Sequence, residues 1–597
     1  MHPYFWAGRM AGTIAAMLLI NTALTSRPAR AADCTNLQSM SFPGFMVTSA
    51  TPEPAGFRTP DNTGTVSVPF CRIAAVATPV TGSKINFEVW LPPPGSWNRK
   101  FRGEGSGGSA GSINYSAMVD GITRGYATMA NDNGHTGSSW KFSQNPQAVV
   151  DFGYRAQHVT TVNGKALVQT FYGEVPRHSY FVGCSQGGHH GQMEAQRYPD
   201  DYDGIISGDP ASDWTGQMLL EVWIGLASTA GGTDLPQPQL NLVTNAVLAH
   251  CGGQDGGLRT DAFLTDPRDC HFDPAVLQCT ADQDPSTCLT GAQVQAVRTI
   301  YDGPYDPNSG QQIAPGLAMG SEADWRQVLV GTPTPGGSST SFFRDAVFDD
   351  PNYNFLTFNF GTDVARTNDK VFAGQTMAEI LNANDTNLEP FRQTGGKIIM
   401  YHGSADPFVA SQFSIDIYAG IVEHDAVARG LPFDLGPLAS VNSYSGLNGL
   451  LGREGLLRKL IRRAANQPAL HDTQSFARLF MVPGMNHCSG GPGPNSFGGA
   501  YQPAGNPRDR THDMVEALDA WVDQGIAPSR IVATKYANDT LSQGAVLTRP
   551  LCVYPKTAVY NKSGDPTQAA NFSCVVDEPD QNGPPLLGLN SDPDGSP

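Results

Sequence analysis

The stretch from Tyr180 to Gln192, YFVGCSQGGHHGQ, constrains the fold more than any other part of the chain. An apolar run ends at Gly183-Cys184-Ser185-Gln186-Gly187, a Gly-x-Ser-x-Gly string, and a helix-forming run follows it. Glycines at this spacing suit a sharp strand-to-helix turn, where neighbouring backbones crowd too closely for a Cβ and a serine hydroxyl is presented at the end of a sheet. The string alone is weak in a chain holding 66 glycines. Its weight comes from the strand before it and the helix after it.

The surrounding rhythm agrees. INFEVWLP, YATMAND, HSYFVGCS and YDGIISGDP read as strands, whereas GYRAQHVTTVNGKALVQTFYG and GGHHGQMEAQRYP read as helices. Strands alternating with helices predict a mainly parallel sheet covered on both faces. From about Ala211 to Asn384 the rhythm is lost, and Asp-Pro pairs, four cysteines and patches such as PTPGGSSTS take its place. Strand signals return in GGKIIMYHGSADPFV and ARLFMVPGMNHC. The expectation is an α/β-hydrolase fold with a large lid domain inserted in the catalytic domain: catalytic residues 32–211, lid 212–384, catalytic residues 385–579, and a Pro/Gly-rich, disordered tail over 580–597.

Residues 1–31 carry Arg9, an apolar run from Met10 to Leu24, and Ala29-Arg30-Ala31, the pattern of a secretory signal peptide. The apolar run is shorter than the ~20 residues of a membrane span. Cleavage would remove three arginines and no acid, taking the net charge from −17 to −20. So acidic a surface repels phosphate backbones, which argues against nucleic acid as a partner, and nothing points to a membrane. All ten cysteines follow the cleavage site, and an even number in an exported chain, secreted or periplasmic, reads as disulfides.

A serine nucleophile needs a base, and the base needs an orienting acid. In this fold they follow the serine in the order acid, histidine. Asp406 ends KIIMYHGSAD and His487 follows RLFMVPGMN, so both belong in loops at the carboxyl ends of strands, where open α/β sheets place their chemistry. His135 precedes the serine, His402 lies within its strand, and His471 and His512 sit in polar surroundings. Asp209 is the alternative acid. Oxyanion donors are expected from the N–H of Gln186 and from Gly107 or Gly108 in GEGSGGSAG, a loop without the Lys-Ser/Thr of a phosphate-binding loop. His189 and His190 are adjacent on a helix, face different ways, and make a poor metal pair.

GCSQGGHHGQMEAQRYPDDYDGIISGDPA, YHGSADPFV and VPGMNHC, in that order around a cysteine-containing insertion, resemble the tannase and feruloyl esterase family, which also includes the hydrolase of mono(2-hydroxyethyl) terephthalate. The resemblance implies Ser185 as nucleophile, Asp406 as acid, His487 as base, and a lid that binds the aromatic acid. Members commonly carry a calcium loop beginning Cys-Asp-Ala-x-Asp-Gly. Here the segment is CGGQDGGLRTDAFLTDPRDC, with Gly252 at the first Asp, leaving Asp255 and Asp261 as ligands of a possible structural calcium. No cofactor is expected for the chemistry.

The expected activity is serine ester hydrolysis of a small aromatic ester through an acyl-enzyme. Feruloyl or other hydroxycinnamoyl esters come first, then galloyl esters and terephthalate monoesters. Phe408 is placed to touch the acyl ring. A binding protein on an inactive hydrolase scaffold is the alternative from another class. If Ser185 and His487 meet, their neighbours Cys184 and Cys488 come within disulfide range. The others then pair locally as Cys34–Cys71, Cys251–Cys270, Cys279–Cys288 and Cys552–Cys574.

Overall fold

The computed structural model describes residues 33–328, 339–431, 468–503 and 505–576. Residues 1–31, expected to be a signal peptide, and the 580–597 tail lie outside the described residues. Nine strands form one sheet: β1 (Phe45–Glu53), β2 (Phe70–Ala77), β3 (Ile85–Leu91), β4 (Lys100–Glu104), β5 (Ala127–Asn131), β6 (His178–Cys184), β7 (Gly204–Gly208), β8 (Lys397–Gly403) and β9 (Ala477–Val482). Their order is β1-β2-β3-β5-β4-β6-β7-β8-β9. The six strands from β5 to β9 across the sheet are parallel. β1, β2 and β3 add an antiparallel flank joined to β5. The sheet is therefore mixed. The link from Ala77 to Ile85 is too short for the crossover that parallel neighbours need, so β2 and β3 must turn back on each other.

The parallel strands are mostly buried because both faces are covered, β4 carrying its Arg102 and Glu104 as a buried ion pair. Phe181, Ile205, Ile398, Met400 and Leu479 pack on one side against α2 (Ala156–Tyr172) and the helix Gln412–Ala428. Their chain neighbours Tyr180, Val182, Ile206, Ile399 and Phe480 point the other way, onto Met514, Leu518 and Trp521 of the helix Met514–Gln524. Alternate side chains of a strand face opposite sides, so two covered faces remove the polar positions that would otherwise alternate. On that second side, toward the antiparallel flank, α1 (Tyr115–Thr123) packs Met118 and Ile122 against Trp90 and Ala130.

The insertion enters after β7 and leaves before β8, and among the described residues no strand within it joins the main sheet. The helix after β6 is α3 (Gln186–Arg197); the insertion then begins with α4 (Trp214–Thr229), α5 (Gln237–Cys251) and α6 (Gly291–Asp302). One of its apolar clusters joins Leu220, Val243, Val297 and Trp325 to Val409 and Phe413, just beyond β8. Another joins Trp214, Phe342 and Phe343 to Trp140 and Phe152, beyond β5. The insertion is thus seated over the carboxyl ends of the parallel strands. Past β9 the chain adds two hairpins that the sequence reading did not foresee, Arg530–Tyr536 with Ala545–Cys552, and Lys556–Tyr560 with Phe572–Val576. Tyr554 N–H donates to Leu479 O at 2.8 Å and ties them to the sheet. Five disulfides form, in the five expected pairs. Among the described residues no helix is long and apolar enough to cross a membrane.

Candidate active site

Ser185 stands between β6 and α3 with φ 63° and ψ −122°, a conformation that costs an L-residue of order 1–3 kcal/mol. The flanking glycines allow it. A Cβ on Gly183 would lie 2.4 Å from the Gly187 carbonyl carbon, and one on Gly188 would lie 2.2 Å from the Gly208 oxygen. The serine side chain makes no capping hydrogen bond to α3, so its hydroxyl is not engaged by the helix it introduces.

Asp406 and His487 meet as expected, His487 Nδ1 lying 2.7 Å from Asp406 Oδ2. The other carboxylate oxygen accepts the N–H groups of Phe408 at 2.7 Å and Val409 at 2.9 Å, so the turn after β8 holds the acid in place. Burial alone would raise the pKa of Asp406, but the His487 and His402 imidazoles outweigh it and hold the carboxyl well below the usual range. His487 shows the reverse balance: burial lowers its pKa, and the charge and hydrogen bond of Asp406 raise it above the ordinary histidine value. The serine and histidine are joined through their neighbours, since Cys184 is bonded to Cys488 with Cα atoms 5.9 Å apart.

Two further groups that the sequence reading weighed and set aside sit in this cluster. Asp209 and His402 are fully buried beside Asp406. Burial pushes Asp209 up to about 7 against the pull of His402. His135 is elsewhere, its Nε2 on Ser109 O and its ring stacked on Phe142. His512 is paired with Asp509 on the surface.

Gln186 opens α3, so its N–H has no acceptor within the helix. The glycine-rich loop packs directly on it. Ser106 Oγ donates to Gln186 Oε1 at 2.9 Å, and Gly187 N–H donates to Ser106 O at 2.8 Å. Asn114 Nδ2 holds Gly105 O at 2.7 Å and the Tyr501 hydroxyl at 2.8 Å. A trans peptide points its N–H opposite to its carbonyl, so this bond turns the Ser106 N–H away from Asn114. Gly107 is half-buried beside it, whereas Gly108 is exposed, with φ +57°. Ser106 was missed in the sequence because nothing in a run of small residues marks which peptide is held against the turn.

His189 and His190 are buried and anchor α3. Their Nε2 atoms lie 2.7 Å from Leu381 O and 3.1 Å from Phe152 O. Burial pushes them down to about 3 and about 4, so both are neutral at pH 7. Phe408 is half-buried with its ring 5.3 Å from the His487 ring, and its carbonyl accepts Gln217 Nε2 of α4 at 2.5 Å.

In this structure the two acids expected to hold calcium, Asp255 and Asp261, are each engaged by protein donors. Asp255 is buried and accepts backbone N–H groups of Thr265 at 2.5 Å, Gly257 at 3.1 Å and Asp266 at 3.3 Å. Asp261 accepts Arg549 Nη2 at 2.7 Å and Leu258 N at 3.3 Å. Calcium needs several oxygens turned to one centre, and here a guanidinium faces one acid while peptide donors saturate the other. Among the described residues the compact groups of potential metal ligands do not include either acid.

Residues 71–575 match the family model described as tannase and feruloyl esterase. The chain belongs to the tannase and feruloyl esterase family. This esterase is 39% identical to an uncharacterized esterase of Xanthomonas campestris pv. campestris, over 93% of each chain. It is 31% identical to a probable feruloyl esterase B-2 of Aspergillus flavus, over 82% of this chain and 84% of that one. The crystal structure of feruloyl esterase B from Aspergillus oryzae superposes with a TM-score of 0.76 at 28% identity, covering 91% of this esterase and 99% of that chain. The esterase is a carboxylic ester hydrolase of the feruloyl esterase and tannase type. Its five disulfides point to a compartment outside the reducing cytoplasm.

Proposed function

We propose that this esterase is exported, to the periplasm or beyond the cell, and hydrolyses esters of aromatic hydroxy acids, hydroxycinnamoyl esters first, through a Ser185 acyl-enzyme. The observation that carries the reading is the 2.7 Å pair of His487 and Asp406, tied by the Cys184–Cys488 bond to the strained turn that presents Ser185. The probable feruloyl esterases among its relatives favour a hydroxycinnamoyl acid over a galloyl one.

His487 Nε2 takes the Ser185 proton as Oγ attacks the ester carbonyl. The N–H groups of Gln186 and of the Ser106–Gly107 segment receive the negative oxygen. Collapse of the tetrahedral adduct expels the alcohol, which takes the proton from His487. Water, deprotonated by the same imidazole, then attacks the acyl-enzyme; the acyl–Oγ bond breaks, Ser185 takes the proton back from His487, and the acid leaves. Asp406 fixes the tautomer, because its bond at Nδ1 leaves Nε2 as the free basic nitrogen.

Hydrolysis of methyl ferulate, methyl gallate and a terephthalate monoester by the wild type and by Ser185→Ala tests this. Methyl ferulate is expected to turn over fastest, with turnover falling by about 10⁴-fold or more in the variant. Unchanged turnover in Ser185→Ala refutes the nucleophile, and faster gallate hydrolysis moves the substrate class to tannins.

A further inference from the structure

His402 is completely buried, and the mechanism above leaves it unused. Its Nε2 lies 3.0 Å from Val409 O, 3.3 Å from Asp406 Oδ2 and 3.7 Å from Asp209 Oδ1. All three are acceptors, so Nε2 carries a hydrogen. Nδ1 lies 2.7 Å from Ser414 Oγ, a hydroxyl able to donate or accept and so compatible with either charge state of the ring.

The same ring therefore grips the acid in two ways. It faces Asp406 Oδ2, the oxygen that receives His487, and it bonds the carbonyl of Val409, whose N–H is given to Asp406 Oδ1 at 2.9 Å. Asp209 closes the far side. Its Oδ1 accepts Gly403 N–H at 2.8 Å, its own N–H is held by Tyr401 O at 2.8 Å, and its Oδ2 rests 3.3 Å from the disulfide sulfur of Cys184. Oxygens of Asp209 and Asp406 and a ring nitrogen of His487 all lie within 4.8 Å of one another.

We propose that His402, braced by Asp209, is a positioning residue for the ester hydrolysis read above, fixing the orientation and the charge of Asp406 as His487 gains and loses its proton. The inference rests on that reading for its catalytic meaning and on the cluster geometry for its substance. The charged or titratable groups bearing on this cluster are Asp209, Asp406, His402 and His487, with the buried Tyr401 phenol beside Asp209. A buried carboxylate needs hydrogen-bond donors, and for Asp406 the two imidazoles supply them beside the Phe408 and Val409 N–H groups. Loss of the His402 N–H makes Asp406 a stronger acceptor for His487. Loss of the Asp209 charge makes a protonated His487 less favourable.

The titration of His487 can be followed by its imidazole NMR signal in Ser185→Ala protein, where no turnover is needed. Against that parent, His402→Leu is expected to raise the His487 pKa by about half a unit or more. His402→Gln, which keeps an N–H donor, stays near the parent, and Asp209→Asn moves the titration down. Unchanged or lowered titration in folded His402→Leu overturns the inference, as does a His402→Gln shift equal to that of Leu. If the Leu variant does not fold, the Asp209→Asn and His402→Gln titrations decide it. Failure of the wild type to hydrolyse any ester would instead overturn the proposed function and leave these titrations to judge the positioning role separately.

Discussion

Cys184 and Cys488 are bonded across 304 residues of chain, and each is the immediate neighbour of a residue of the candidate active site, Ser185 and His487. The other four bridges close loops of 9 to 37 residues. By the chain-entropy model, so long a loop contributes at most about 6 kcal/mol, from which native strain subtracts. Its local effect is to hold the strained turn and the histidine loop in one register. Replacing both cysteines by alanine should lower the melting temperature and reduce kcat. The same pair of changes at Cys279 and Cys288, which close the shortest loop, should leave kcat near the wild-type value. Equal losses from both pairs, measured on methyl ferulate, would remove the special role of the first.

The charge on Asp406 sets the acid limb of the pH profile. Asp406 lifts the His487 pKa, so the imidazole stays protonated, and inactive as a base, to a higher pH than a free histidine. Activity should therefore fall as pH drops through a value above the ordinary ~6.5. Asp406 itself, held low, stays ionised across that range. Asp406→Asn should cost roughly 10⁴-fold in kcat through loss of the correct tautomer. An acid limb at or below pH 6 in kcat/KM would contradict the assignment of base and acid.

The parts of this molecule that could be read from the sequence are those governed by local chemistry. β6, β7, β8 and β9 announce themselves because strands covered on both faces are mostly apolar, and Gly183 marks the turn because a Cβ there would collide with the Gly187 backbone. β1 and β2 were not read as strands. On both, exposed or half-buried positions interrupt the buried ones, and β1 runs through a register shift between Val47 and Ser49. The contributions of Ser106, His402 and Arg549 were equally hidden, since each depends on a partner or a peptide orientation fixed only by the assembled sheet and its insertion.

Arg549 shows what distance conceals. Its guanidinium comes from the hairpin after β9 to meet Asp261, 288 residues earlier, and both side chains are more than nine-tenths buried. Removing one partner of a buried pair typically costs about 3–5 kcal/mol, because the other charge is stranded. Arg549→Leu should accordingly lower the melting temperature, and Arg549→Leu with Asp261→Leu should recover part of the loss. Chelators should leave the melting curve of the wild type unchanged. A fall in melting temperature with EDTA, restored by calcium, would show that the loop holds a metal in spite of its donor set.

Phe408 offers the most direct test of the acyl pocket. Its backbone is held at both ends, N–H by Asp406 and carbonyl by Gln217, so its ring can be removed without releasing the acid. That ring is half-buried, 5.3 Å from His487 and tilted 44° to it, which puts it next to the proposed base. An aromatic pair contributes about 0.5–1.5 kcal/mol beyond its buried area. Phe408→Ala should therefore raise KM for methyl ferulate by roughly two- to twelvefold on that account. A short-chain acetate, having no ring to lose the contact, should be hydrolysed almost as before. If both esters lose kcat equally, the ring supports His487 and does not read the acyl group.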